Sequence, residues 1–88
     1  MKEQIHLQIV TAGEIVCDAM ASYVEIPLEN GPIGVLANHA PLIGAVTDGT
    51  VRIKNESGEE KFNVGIGVVN IVSNEIKVLV RSASRREE

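Results

Sequence analysis

Apolar and polar residues alternate with a period of two along several separate stretches of this chain. Ile5, Leu7 and Ile9 alternate with Gln4, His6 and Gln8, a spacing that sets three aliphatics on one face of a β-strand. Val24, Ile26 and Leu28 repeat the pattern, as do Val51 and Ile53 between Thr50, Arg52 and Lys54. Phe62 and Val64 flank Asn63, and Ile76, Val78 and Val80 sit between Glu75, Lys77 and Arg81. Turn-forming residues fall between these stretches: Asn30-Gly31-Pro32, Asp48-Gly49, Asn55-Glu56-Ser57-Gly58 and Ser73-Asn74. The last two predict tight hairpin tips. Short strands at this regular spacing predict an antiparallel all-β sandwich or barrel.

Two segments fit the scheme less simply. Glu14 to Met20 places Ile15, Val16, Ala19 and Met20 at spacings that a helix also uses, and its shortness favours two short strands with a kink. Arg81 to Glu88, ending Arg85-Arg86-Glu87-Glu88, reads as a charged tail, either coil or the first turn of a helix. One domain over 1–84 with a charged tail at 85–88 is the expected organisation.

Composition narrows the class. The chain has 88 residues, enough for a single small domain that would gain from docking on a partner. Val and Ile dominate the 44% apolar fraction, and Tyr23 and Phe62 are the only aromatics, so β-branched aliphatics must build the core. A net charge of −4 repels a phosphate backbone, and two aromatics offer few stacking platforms, which argues against nucleic acid as a partner. Met1-Lys2-Glu3-Gln4 is followed by no apolar run of signal-peptide length, and no stretch approaches a membrane span. The single cysteine, Cys17, has no intrachain partner and fits reducing surroundings.

Candidate chemistry is sparse. No Cys or carboxylate stands at metal-ligand spacing beside His6 or His39, and His6 reads as a solvated strand residue. Ser22, His39 and Asp18 contain the residue types of a triad but lack a nucleophile elbow. Gly65-Ile66-Gly67 lacks the third glycine of a dinucleotide fingerprint and is followed by a strand pattern, so it reads as a bulge or bend. Cys17 has no neighbouring cation to activate it and reads as a half-buried strand residue. No catalytic residue, metal or cofactor is predicted. Residues 30–42 are different: two glycines, two prolines and His39 fix the path of a segment rich in aliphatics, a combination suited either to a structural corner or to a recognition surface.

That segment carries a resemblance. Gly34-Val35-Leu36-Ala37-Asn38-His39-Ala40-Pro41-Leu42, followed by Asp48-Gly49-Thr50-Val51-Arg52-Ile53, resembles the signature of F-type ATP synthase epsilon subunits. The likeness continues through Phe62-Asn63-Val64 to Val78-Leu79-Val80-Arg81-Ser82-Ala83 and covers nearly the whole chain. It implies a ten-stranded antiparallel β-sandwich of two sheets without substantial helix. It also implies a non-catalytic rotor subunit at the foot of the central stalk, bound to gamma and to the ring of c subunits. Such a subunit couples proton flow to ATP synthesis and is held at the cytoplasmic face of the bacterial plasma membrane through the complex alone.

Carried over by position, the resemblance assigns Thr11, His39, Ala40, Pro41, Leu42 and Gly44 to gamma binding. It turns the Glu29-Asn30-Gly31-Pro32 loop toward the c-ring. Family members often place an acidic residue where Pro32 stands, which passes that contact to Glu29. Epsilon subunits commonly carry a C-terminal helical hairpin, and the sequence stops at Glu88, where that hairpin would begin. Hairpin-based inhibition and nucleotide sensing are therefore expected to be absent. The rival reading from another class is a small lipoyl- or biotinyl-carrier domain with Lys54 near a hairpin tip, although Ile53 and Asn55 do not match a carrier motif.

Overall fold

A computed structural model describes residues 4–86 of the chain. Those residues form ten strands and no helix: β1 (Ile5–Thr11), β2 (Glu14–Ala21), β3 (Tyr23–Leu28), β4 (Gly31–Val35), β5 (Leu42–Val46), β6 (Gly49–Asn55), β7 (Gly58–Val64), β8 (Gly67–Val72), β9 (Glu75–Val80) and β10 (Ala83–Arg86). The strands follow one hydrogen-bonded path, β10-β7-β6-β3-β5-β8-β9-β1-β2, with β4 paired to the remaining edge of β3. The path folds into two five-stranded layers, β5-β8-β9-β1-β2 and β4-β3-β6-β7-β10. They join where Leu28 pairs with Val46.

The period-two pattern explains the layering. Ile5, Leu7 and Ile9 of β1 share the inner face of one layer with Val69 and Ile71 of β8 and Ile76, Val78 and Val80 of β9. Val24, Ile26, Val51, Ile53, Phe62 and Val64 supply the opposite layer. Successive side chains on a strand point to opposite faces, so each alternating segment lays its aliphatics inward and its polar residues outward. No polar or charged side chain among the described residues is buried.

The turns fall where turn chemistry places them. Asn55 Oδ1 accepts a hydrogen bond from Ser57 N at 2.9 Å in the β6–β7 hairpin. Gly31, closing the Glu29-Asn30 turn, has φ 114°, a left-handed conformation that side-chain-bearing residues rarely adopt. Gly65 N donates to Ser82 O and Arg81 N to Ile66 O, so Gly65-Ile66-Gly67 is the bend into β8.

Three expectations are corrected in detail. Residues 14–21 form one strand rather than two. The ladder slips between Ile9 and Val10, pairing Cys17 with Ile9 and Ile15 with Val10, and the extra residue, Val16, forms a bulge that supplies the kink. Arg85 and Arg86 are neither coil nor helix: they extend β10 along β7, paired with Phe62 and Lys61, past the boundary expected at residue 84. Residues 87–88 of the expected tail, and the N-terminal Met1-Lys2-Glu3, lie outside the described residues. Finally, the sandwich is not wholly antiparallel, because β1 runs parallel to β9, from His6 opposite Glu75 to Val10 opposite Leu79.

Candidate functional site

The corner between β4 and β5 is fastened to its neighbours by polar bonds. Asn38, in the left-handed conformation at φ 68°, donates its N–H to Asn74 Oδ1 at 2.6 Å. Asn74 O in turn accepts from His6 N at 2.8 Å, so the corner, the β8–β9 turn and the start of β1 are tied together. His39 Nδ1 donates to the Ala40 carbonyl at 2.7 Å, which fixes its tautomer and holds the half-buried ring against the corner backbone. Ala40 and Pro41 are exposed, while Leu42 packs on the core opposite Ile71.

The sequence-derived residues do not form one cluster. Pairings of β5 with β8, β8 with β9 and β9 with β1 set Leu42 at the same strand end as Ile71, Ile76 and Leu7. They set Val46 at the opposite end with Gly67, Val80 and Thr11. Thr11 is thus separated from the His39 corner by the length of the sheet, roughly 20 Å for a seven-residue strand. Gly44 has its missing side chain directed inward, since a Cβ there would lie 3.4 Å from Leu28 and 3.3 Å from Leu42. The Glu29-Asn30-Gly31-Pro32 turn stands at the Thr11 end, held by a bond from Glu29 N to Ala45 O at 3.1 Å, with Glu29 and Asn30 exposed.

What the sequence reading missed is the outer face of the β5-β8-β9-β1-β2 layer. Ala45 pairs with Val68, Val68 with Leu79, Leu79 with Val10, and Val10 with Ile15. Residues directly opposite point to the same side, so these five side chains make one apolar row across five strands. Val68 and Leu79 are each 49% exposed and Ile15 is 59% exposed. Ile43, on the same face, is 80% exposed. A contiguous apolar strip left in water is the signature of an interaction surface. The signal lay in the sequence as apolar residues of the wrong parity, such as Leu79 inside Val78-Leu79-Val80 and Val68 beside Val69.

The same face is polar toward the corner. His6 Nε2 lies 2.6 Å from Asp18 Oδ1 and Nδ1 lies 3.0 Å from Glu75 Oε1, while Gln8 Nε2 donates to Asp18 Oδ2 at 3.1 Å. The bond to Asp18, then that to Glu75, raises the His6 pKa; the bond to His6, then that from Gln8, lowers that of Asp18. His6 is therefore a bonded residue and not merely a solvated one. Even so, no group of three side chains among the described residues is arranged to hold a metal ion.

Two other candidates settle into structural roles. Cys17 is buried opposite Ile9, and burial pushes its thiol up to about 11, far from a reactive thiolate. Lys54 is paired with Glu59 inside the β6–β7 ladder, short of the Glu56-Ser57 tip. Its ammonium stands 5.7 Å from the centre of the Tyr23 ring. That placement does not favour a carrier lysine.

Compared with known proteins, residues 4–86 match the family described as ATP synthase, Delta/Epsilon chain, beta-sandwich domain. The ATP synthase epsilon chain of Alkalilimnicola ehrlichii is 32% identical over 85 residues, which span 96% of this chain and 61% of that relative. The chain thus corresponds to about three-fifths of the relative's length. Its backbone superposes with a TM-score of 0.86 on a chain of the Euglena gracilis mitochondrial ATP synthase, solved by cryo-EM with OSCP, F1 and the c-ring. The identity is 19%, and 93% of this chain and 53% of that one are covered. For a chain of the Tetrahymena thermophila mitochondrial ATP synthase central stalk and c-ring the TM-score is 0.72 at 15% identity, covering 94% and 67%. At such identities the two structures speak for the fold alone.

Proposed function

Because the chain belongs to the ATP synthase delta/epsilon family, of which it is the β-sandwich domain, we propose that it is a central-stalk element of a proton-translocating F-type ATP synthase. Such a domain is non-catalytic. In this reading it docks on the gamma subunit and the c-ring, turns with them, and takes part in coupling proton flow to ATP synthesis. Its place is peripheral, at the cytoplasmic face of a bacterial plasma membrane, through the complex.

The observation that carries this reading is the apolar row Ala45-Val68-Leu79-Val10-Ile15. A stalk element must transmit torque without shearing from its neighbour, which calls for a stiff body and a broad contact. The close-packed aliphatic core supplies the first. The outer face supplies the second: five strands span about 19 Å across the row, and burial of apolar surface contributes roughly 25 cal/mol per Å² before the costs of association. A gamma subunit laid over this face would reach Thr11 beside Val10 at one end. Past Ile43 it would meet Ala40, Pro41 and the His39 corner at the other, with Leu42 and Gly44 shaping β5 from the inner side.

The c-ring contact falls to the Glu29-Asn30-Gly31-Pro32 turn. It projects from the Thr11 end, and Glu29 offers an exposed carboxylate to a basic loop. Since Glu29 N is bonded to Ala45 O, a partner on the face and a partner at the turn would share an edge. Mixing the purified chain with isolated gamma tests the reading, with a one-to-one complex expected. Failure to form any complex under conditions where both proteins are folded would contradict it.

A further inference from the structure

His6 stands on the outer face of β1 with a carboxylate at each ring nitrogen, Asp18 of β2 at 2.6 Å and Glu75 of β9 at 3.0 Å. Three adjacent strands meet in this one side chain. A neutral imidazole carries a single N–H and a lone pair, whereas the protonated ring donates from both nitrogens; an ionised carboxylate only accepts. A neutral ring would therefore set its lone pair against a carboxylate oxygen at one of the two contacts. We infer that His6 is a proton-operated clamp: with its proton it ties the edge strand β2 to β9 across β1, and on losing it frees one of the two carboxylates.

The surroundings sharpen the effect. The ionisable groups facing the ring are Asp18 from β2 and Glu75 from β9, and Lys77 lies two pairs along on β9, opposite Gln8. From β1, Gln8 steadies Asp18 through its own hydrogen bond, and from β2 Met20 is the uncharged neighbour opposite His6. On β8 the outward residues of these rows, Asn70 and Val72, do not ionise. With the proton in place, one positive charge sits between two negative ones. Without it, two carboxylates face each other across a single strand. The bonds that hold the ring charged are the same ones that raise its pKa above the ordinary 6.5.

The sign of the pH dependence follows. The folded state holds the proton more tightly than the unfolded chain does. The clamp therefore contributes in full below about pH 6.5 and is lost as the pH rises through the raised folded value. Loosening acts first on β2, which ends the hydrogen-bonded path among the described residues and whose Ile15 ends the apolar row.

Two measurements on the whole chain test the clamp. Long-range proton–nitrogen correlation of the His6 ring across about pH 5 to about pH 9 should show both ring nitrogens protonated at about pH 6. The ring should titrate at a higher pH than the same ring in the urea-unfolded chain. In parallel, the urea midpoint of the natural chain should fall over about pH 6 to about pH 8.5, and the His6→Gln chain should lack that part of the fall. A singly protonated ring near pH 6, a titration coincident with the unfolded chain, or an unchanged descent in His6→Gln would each overturn the proposal. The first measurement needs no variant, so it decides even if His6→Gln folds poorly.

Discussion

The ring of Tyr23 on β3 lies across Gly34 on β4, so closely that a Cβ built at Gly34 would stand 2.6 Å from the phenol oxygen and 2.9 Å from a ring carbon. An aromatic laid over a glycine of the neighbouring strand covers exposed backbone and pins the register of an edge strand. Lys54, reaching over the same ring from β6, completes a three-strand stack on the outer face of the second layer. Gly34 opens the stretch that carries the family resemblance, and its role here is the support of an aromatic ring.

This contact yields the first prediction. Gly34→Ala should displace the ring and cost about 1 kcal/mol, the low end for overpacking because a surface ring can yield. Tyr23 is the one tyrosine and there is no tryptophan, so tyrosine emission reports on this contact directly. A lower urea midpoint together with altered emission and faster quenching is the expected outcome.

Core and face should respond to truncation in opposite ways. Leu7, fully buried between the layers, should lose about 2 to 5 kcal/mol on change to alanine, out of a total stability of roughly 5 to 15 kcal/mol for a domain of this class. Ile43, 80% exposed, should tolerate alanine within about 0.5 kcal/mol. Chemical denaturation of the two variants checks both, and comparable losses would mean that the outer face is not free.

The acid limb of stability has its own group. The Asp18 pKa is lowered in the folded state, chiefly by its bond to His6. A depressed carboxylate contributes stability that is present above its unfolded value, near 3.8, and is lost as the pH falls through the folded value. In Asp18→Asn the decline of the urea midpoint below about pH 4 should be shallower than in the natural chain.

Cys17 offers a probe of opening. With its thiol buried and its pKa pushed up to about 11, native protein at mild alkaline pH should resist thiol reagents, whereas the unfolded chain reacts freely. The labelling rate should then follow unfolding or opening of β2, rising with urea.

Much of the architecture was legible because the core obeys a simple parity. Ile5, Leu7 and Ile9, or Ile76, Val78 and Val80, could only line one face of a strand, and Asn55 to Gly58 could only turn. The strand at residues 14–21 was harder, since the bulge at Val16 breaks the alternation that identifies a strand. Arg85 and Arg86 misled by their charge: an edge strand needs backbone partners, and β7 supplies them whatever side chains β10 carries.

The site was less legible for a different reason. The apolar row takes one residue from each of five strands, and two of its links, Ala45 to Val68 and Leu79 to Val10, join strands that are not joined by a tight hairpin. Within any one strand each reads as a lapse of pattern. Likewise nothing in the sequence brings Asp18 and Glu75 to His6; antiparallel pairing of β1 with β2 brings the first and parallel pairing of β1 with β9 the second.

The outer-face docking claim is tested most directly by titrating isolated gamma with the chain and its variants in a calorimeter. Leu79→Asp and Val68→Asp each place a carboxylate in the middle of the apolar row and should weaken binding by about tenfold or more, equivalent to about 1.4 kcal/mol. Asn63→Asp, which adds the same charge on the outer face of the other layer, should change affinity by less than about twofold. Undiminished gamma affinity in folded Leu79→Asp and Val68→Asp, or an equal loss in Asn63→Asp, would contradict the account.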